Sequence, residues 1–186
     1  MTDQTPFVPL AIAVLTISDT RTLAEDRSGN TLAERIEKAG HRLADRAIVP
    51  DDVEAIRAQV SGWIADADID VVITTGGTGF TGRDVTPEAV EPLLEKRMEG
   101  FSTVFHMVSF GKIGTSTLQS RATAGVANST YVFCLPGSPG ACRDGWDEIL
   151  VHQLDIRHKP CNFVEILPRL DEHLKRGKLR AGSAPA

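Results

Sequence analysis

Apolar residues recur along this chain in two rhythms. From Leu10 to Ile17 they run almost without interruption, the pattern of a strand buried on both faces. Ser28-Gly29-Asn30 then leads into Leu32, Ile36 and Ala39, which share one face of a helix that Gly40 ends. His41 to Val49 alternates weakly as a second strand, and Val53, Ile56, Val60, Trp63 and Ile64 return at helical spacing. Ile69 to Thr75 makes a third strand. This βαβαβ alternation predicts an α/β fold, a mostly parallel sheet with right-handed crossovers and helices on both faces.

Further along, Thr86-Pro87 reads as a helix start, with threonine as cap and proline at the first helical position, and Pro92 interrupts that helix. Phe101, Val104, Phe105 and Val108 form the next apolar stripe, read as core. Gly125 to Asn128 and Thr130 to Leu135 read as two short strands joined at Asn128-Ser129. A last helix opens at Pro136-Gly137-Ser138-Pro139-Gly140 and buries Cys142, Trp146, Ile149, Leu150 and Leu154. No internal repeat or interdomain linker interrupts the pattern. The basic run Lys175 to Arg180, followed by small residues to Ala186, reads as a solvated flexible tail.

Composition narrows the classes. At 186 residues the chain is one domain, large enough to bury roughly 70% of its unfolded surface. Its 25 acidic and 20 basic side chains give a formal charge of -5, which argues against nucleic-acid binding. The first residues lack a signal-peptide pattern and no apolar run reaches membrane-spanning length, so a cytoplasmic location is expected. Cys134, Cys142 and Cys161 are too few and scattered for a disulfide framework or zinc site, and are read as buried or inert thiols. The five histidines show no ligand spacing and are read as structural or solvated.

The chemistry concentrates in "VVITTGGTGFTGRDVTPE", residues 71–88. In an open parallel sheet the ligand crevice lies beyond the carboxyl ends of the strands. Those ends carry Ser18-Asp19-Thr20, Pro50-Asp51-Asp52, Thr75-Gly76-Gly77-Thr78-Gly79 and Pro136-Gly137-Ser138. Glycines let backbone N–H groups approach phosphate oxygens with no Cβ between, so an anionic ligand is expected there. The G-x-G-x-x-G match from Gly77 to Gly82 keeps a nicotinamide-dependent oxidoreductase as a remote alternative, although its loop follows the third strand and its third glycine precedes the helix. No Gly-Lys-Ser/Thr comes after the glycines, which excludes a Walker loop.

Asp51 and Asp84 each have a structural alternative. Asp51 with Glu54 fits a capping box, and Asp84 fits an Asx turn before Thr86. Placed beside a polyphosphate, however, two carboxylates call for a divalent cation, and Mg²⁺ held by one or two carboxylates plus phosphate oxygens is the usual arrangement.

These residues carry a resemblance. Thr74-Thr75-Gly76-Gly77-Thr78-Gly79, Arg83-Asp84-Val85-Thr86-Pro87-Glu88-Ala89 and Leu135-Pro136-Gly137-Ser138-Pro139 resemble the MoaB/Mog family of molybdenum cofactor biosynthesis proteins over about residues 9–167, leaving 168–186 as the tail. Val14 to Thr22, Ile113 to Ala122, Gln153 to Arg157 and Lys159 to Phe163 point to the MoaB branch. The resemblance implies a three-layer α/β/α sandwich, assembled as a homotrimer or a hexamer of two trimers. It also implies molybdopterin binding and, in active members, AMP transfer from Mg-ATP to the terminal phosphate of molybdopterin. The family's essential aspartates match Asp51 and Asp84, expected to be catalytic and to hold Mg²⁺. Ser18, Asp19, Thr75, Gly76, Gly77, Thr78, Gly79, Ser120, Arg121, Pro136, Gly137 and Ser138 are expected to bind ATP and molybdopterin. A non-catalytic molybdopterin carrier remains the alternative.

Overall fold

The computed structural model describes residues 5–172. Its centre is a six-stranded sheet ordered β2-β1-β3-β6-β5-β4. The strands are β1 (Ala11–Ile17), β2 (Arg42–Val49), β3 (Val71–Thr75), β4 (Lys96–Arg97), β5 (Thr123–Ala127) and β6 (Thr130–Leu135). β2, β1, β3 and β6 run parallel, while β5 pairs antiparallel with both β6 and β4.

The three central strands divide their side chains by strict alternation. Ile12 and Val14 of β1, Val71 and Ile73 of β3, and Tyr131, Phe133 and Leu135 of β6 enter one core. Ala13, Leu15, Ile17, Val72, Val132 and Cys134 enter the other. A strand apolar on both faces needs cover on both, and helices supply it. On the first face lie α1 (Arg27–Lys38), α4 (Glu99–Ile113) and α5 (Pro139–Gly145); on the second lie α2 (Val53–Ala65) and α3 (Thr86–Val90). The result is the anticipated three-layer sandwich.

Local chemistry sets the ends of these elements. Asp26 caps α1 by accepting from the Gly29 N–H at 2.9 Å, and Gly40 at φ +92° closes the segment. Asn128 and Ser129 both take left-handed backbone angles, as a two-residue β5–β6 hairpin turn of right-handed twist requires. Pro92 falls in a 3₁₀ turn, Glu91–Leu93, directly after α3. After α5 the helical path widens into a π turn over Trp146–Leu150 and ends in α6 (Val151–Gln153). All five residues anticipated on the buried face of this last helix are buried.

Several sequence expectations need correction. Asp51 does not cap α2: its neighbour Asp52 does, accepting from the Ala55 N–H at 2.9 Å. Thr86 is inside α3 rather than its cap, and its hydroxyl donates instead to the Gly76 carbonyl at 2.8 Å. Val104 is 44% exposed, because α4 turns only the line through Phe101 and Phe105 toward the sheet. Cys134 and Cys142 are buried but Cys161 is exposed. β4 and the short helix α7 (Phe163–Ile166) carry too few residues to show a rhythm in the sequence. The expected tail falls mainly on residues 173–186, outside the described residues. Among the described residues, no helix is long and apolar enough to cross a membrane.

Candidate functional site

β1 is flanked by β2 on one side and β3 on the other, so the chain reverses its winding direction between β1 and β3. At such a switch point the loops leaving adjacent strands diverge and open a crevice. A cavity of about 570 Å³ lies there, bounded by the loops after β1, β3 and β6 and by the 3₁₀ segment Gly114–Gln119.

Its floor is backbone. Gly76 adopts φ +108° and Gly77 φ +63°, both in the region that favours glycine. A Cβ on Gly76 would meet the Ile17 carbonyl oxygen, and one on Gly77 would meet the Thr86 hydroxyl. Gly137 brings the β6 loop against this turn: a Cβ there would lie 3.1 Å from the Gly76 Cα. The Thr75 hydroxyl donates to the Pro136 carbonyl at 3.0 Å, tying the two loops together from beneath.

Asp51 and Asp84 both line this cavity. The displaced cap explains why Asp51 is available. Its Oδ2 accepts the Asp19 N–H at 3.1 Å, and burial followed by the charge of Asp19, with a further contribution from Asp84, pushes its pKa up. Asp84 behaves oppositely. Desolvation alone would raise it, but hydrogen bonds from the Thr81 hydroxyl, at 2.6 Å, and from the Thr81 and Gly79 N–H groups hold it below the ordinary range. Arg83 donates to both carboxyl oxygens of Asp19, and this hydrogen bonding holds Asp19 low as well.

Asp51 and Asp84 are the carboxylates lining this cavity that could hold a cation such as magnesium. Among the described residues no group of three or more His, Cys, Asp or Glu forms a closed metal cage. A crowded carboxylate whose charged form is disfavoured by its neighbours is stabilised by a cation, and Mg²⁺ completes its octahedron with phosphate oxygens and water.

Of the residues expected to touch ligands, Ser18, Gly76, Gly77, Thr78, Gly79, Ser120, Pro136, Gly137 and Ser138 line the cavity. Asp19, Thr75 and Arg121 are not among its lining residues. Arg121 braces the glycine loop, donating from Nε to the Gly79 carbonyl and from its terminal nitrogen to the Asp84 carbonyl, each at 2.8 Å. It also pairs with Glu88 and lies 5.4 Å from the centroid of the exposed Phe80 ring. Lining residues that sequence reasoning missed include Arg21, Ser116 and Gln119. They lie inside stretches that carried the resemblance, so the motifs held the signal while spacing gave no direction for the side chains.

One group outside the wall organises it. Asp26 is fully buried, accepts from the Thr16 hydroxyl at 2.6 Å and pairs with Arg46 at 2.8 Å. Its desolvation would raise the carboxyl pKa, yet the bonds from Thr16, Arg46 and the Gly29 N–H outweigh it and hold it low. His41 is buried too; burial lowers its pKa, and Nδ1 accepts the Leu10 N–H at 3.1 Å, a structural role.

Fold and cavity together define a doubly wound α/β binding domain with its crevice at the carboxyl ends of parallel strands. Comparison with known proteins makes this specific. Residues 13–156 match the profile of the family described as "Probable molybdopterin binding domain". Molybdenum cofactor biosynthesis protein B of Escherichia coli (strain K12) is 54% identical over 159 residues, 86% of this chain and 94% of that protein. Its namesake in Bacillus subtilis (strain 168) is 42% identical over 142 residues, 76% of this chain and 84% of that protein. A crystal structure of a molybdenum cofactor biosynthesis protein B superposes with a TM-score of 0.77 at 42% identity, covering 79% of this chain and 92% of that one. The tungsten cofactor synthesizing protein MoaB from Pyrococcus furiosus gives 0.68 at 36% identity, covering 76% and 91%. The chain belongs to the MoaB/Mog family of molybdenum cofactor biosynthesis proteins.

Proposed function

We propose that this protein binds molybdopterin and transfers AMP to its terminal phosphate from Mg-ATP, a molybdopterin adenylyltransferase reaction in the cytoplasm. The observation that carries the reading is that Asp51 and Asp84 line one glycine-floored cavity. The molybdenum cofactor names of its relatives supply the substrate class.

In the reaction an oxygen of the molybdopterin phosphate attacks the α-phosphorus of ATP. The bond from that phosphorus to the bridging oxygen breaks, and pyrophosphate leaves with its electron pair. The phosphate nucleophile is already ionised near neutral pH, so no general base is needed. Catalysis then rests on positioning and charge neutralisation. Backbone N–H groups of the Gly76 to Gly79 turn cradle phosphate oxygens. Asp51 and Asp84 would hold Mg²⁺, which would neutralise charge on the triphosphate. Ser18, Ser120, Pro136, Gly137 and Ser138 line the ends of the cavity that take adenine and pterin. Asp19 and Arg121 fix the two aspartate-bearing loops.

The reading includes assembly. Met107, Phe110, Ile113 and Leu118 are 69%, 59%, 56% and 71% exposed and lie on α4 and the 3₁₀ segment after it, beside the cavity. Exposed apolar side chains gathered in this way mark an interface. A second copy of this chain, in a trimer or a pair of trimers, covers them.

The test incubates the protein with molybdopterin, ATP and Mg²⁺ and measures pyrophosphate and adenylylated product. Turnover that Asp51→Ala and Asp84→Ala each abolish supports the reading. Molybdopterin binding without pyrophosphate release would establish the carrier instead, a reading favoured by the hydrogen bonds that already occupy Asp84 within its own loop.

A further inference from the structure

The cavity carries charge of both signs. Asp51 and Asp84 are its acidic members, and among the described residues Arg21 is the one lysine or arginine that lines it. Arg21 is fixed in place by its surroundings. One terminal nitrogen donates to the Ser28 hydroxyl at 2.6 Å and the other to the Gly137 carbonyl at 3.2 Å. Its backbone N–H donates to the Ser18 hydroxyl at 3.2 Å, which folds the loop after β1.

Its charge is not used up. The nearest carboxylate, Asp26, is 3.9 Å away and already bonds Arg46 at 2.8 Å, so two guanidinium groups share one buried anion and one positive charge remains. The Arg21 side chain is 35% exposed, and the two hydrogen bonds above use two of the five N–H donors of a guanidinium. A preorganised planar fork with a spare charge matches a phosphate dianion.

The two kinds of charge in the cavity therefore suit different anions. A triphosphate that arrives with its own cation tolerates the carboxylates. A phosphomonoester without a cation is repelled by them and needs a fixed positive group. The two are close along one loop, since the N–H of Asp19 holds Asp51 while that of Arg21 bonds Ser18.

We propose that Arg21 clasps the terminal phosphate of molybdopterin without a metal ion and orients it toward the nucleotide held at Asp51 and Asp84. The assignment rests on the function proposed above, and it makes Arg21 a substrate-orienting residue that selects the phosphorylated pterin.

The test is anaerobic equilibrium binding in EDTA of molybdopterin and of its phosphatase-treated, dephosphorylated form, to wild type, Arg21→Gln and Arg21→Lys. Wild type is expected to prefer the phosphorylated form by about tenfold or more, the scale of a charge-assisted hydrogen-bonded contact. Arg21→Gln collapses that preference to within about twofold, Arg21→Lys keeps part of it, and binding of the dephosphorylated form, together with that of Mg-ATP measured separately in Mg²⁺ without EDTA, stays within about twofold in both variants. A purely structural role would weaken all ligands alike, and that result overturns the proposal, as does a preference undiminished in Arg21→Gln. Phenylglyoxal labelling of wild-type Arg21, located by mass spectrometry, gives a check that needs no variant. Protection by molybdopterin but not by its dephosphorylated form supports the clasp, and equal labelling with both overturns it. If wild type binds no molybdopterin, the proposed function fails and takes the clasp with it. If Arg21-dependent binding persists without pyrophosphate release, only the adenylyl transfer fails.

Discussion

Asp19 and Asp51 hold each other through a reciprocal pair of hydrogen bonds: the N–H of each donates to the carboxylate of the other, both at 3.1 Å. The arrangement locks the loop after β1 to the loop before α2 and brings two anions together. Arg83, reaching over from the glycine loop, makes this tolerable by binding both oxygens of Asp19.

Arg83→Gln should therefore alter chemistry more than folding. Arg83 and Asp19 are exposed enough that their pairing is screened, so thermal stability should change little. Without Arg83, Asp19 rises toward the ordinary carboxylate range and Asp51, which Arg83 also restrains, rises further. The acid limb of a pH–rate profile for pyrophosphate release should move to higher pH, with a loss of about tenfold at neutral pH, a typical effect of misplacing a reacting group. An unmoved limb would show that the pair does not govern Asp51.

Asp51→Asn should separate activity from stability. The folded pKa of Asp51 is raised, so the native state binds a proton more tightly than the unfolded chain does. Its charged form therefore costs stability, a cost that develops as pH rises through the unfolded value toward the folded one and is fully present at neutral pH. Asparagine keeps an acceptor for the Asp19 N–H and removes the charge. We expect turnover to disappear while Tm rises by about 1–3 °C at pH 7. Differential scanning calorimetry at pH 7 in EDTA tests the stability half.

Asp26→Asn should do the reverse. The folded pKa of Asp26 is depressed, so its contribution is fully present above the ordinary carboxylate value of about 3.9 and is lost as pH falls through the folded value. Removing the charge strands Arg46 in a largely buried position and should cost about 3 kcal/mol at pH 7. Urea midpoints at pH 7 and at pH 3 should differ less for the variant than for wild type.

Phe110→Glu places a charge on the exposed apolar face of α4. If a second copy covers that face, sedimentation velocity should show the variant associating at least about tenfold more weakly than wild type, since burying an unpaired charge at an interface is costly. A monomeric wild type would remove assembly from the proposed function.

The central sheet was legible in the sequence because β1, β3 and β6 are covered on both sides, which leaves continuous apolar runs that admit few other readings. The glycine loop was legible because strand ends are where backbone must be exposed to a ligand. Direction was harder. Asp51 and Asp52 are identical to any pattern, and only the extended backbone of Asp52 decides which one caps α2. Asp26 gave no signal because the partner that makes its burial tolerable, Arg46, lies on another element. Val104 looked like core because periodicity records which residues share a helical face, not how wide a strip the neighbouring sheet can cover. Arg121 was placed at the ligand because sequence marks that a residue belongs to a motif and is silent on which side of a loop its side chain approaches.

Where Gly76 and Gly137 meet, main chain packs directly on main chain, and neither position accepts even one extra carbon without displacement. Selection has little freedom there, since a substitution would push apart two strands of the sheet itself. Room for a different ligand preference in this chain therefore lies with side chains that line the cavity, such as Ser18, Arg21, Ser116 and Gln119, rather than with this backbone contact.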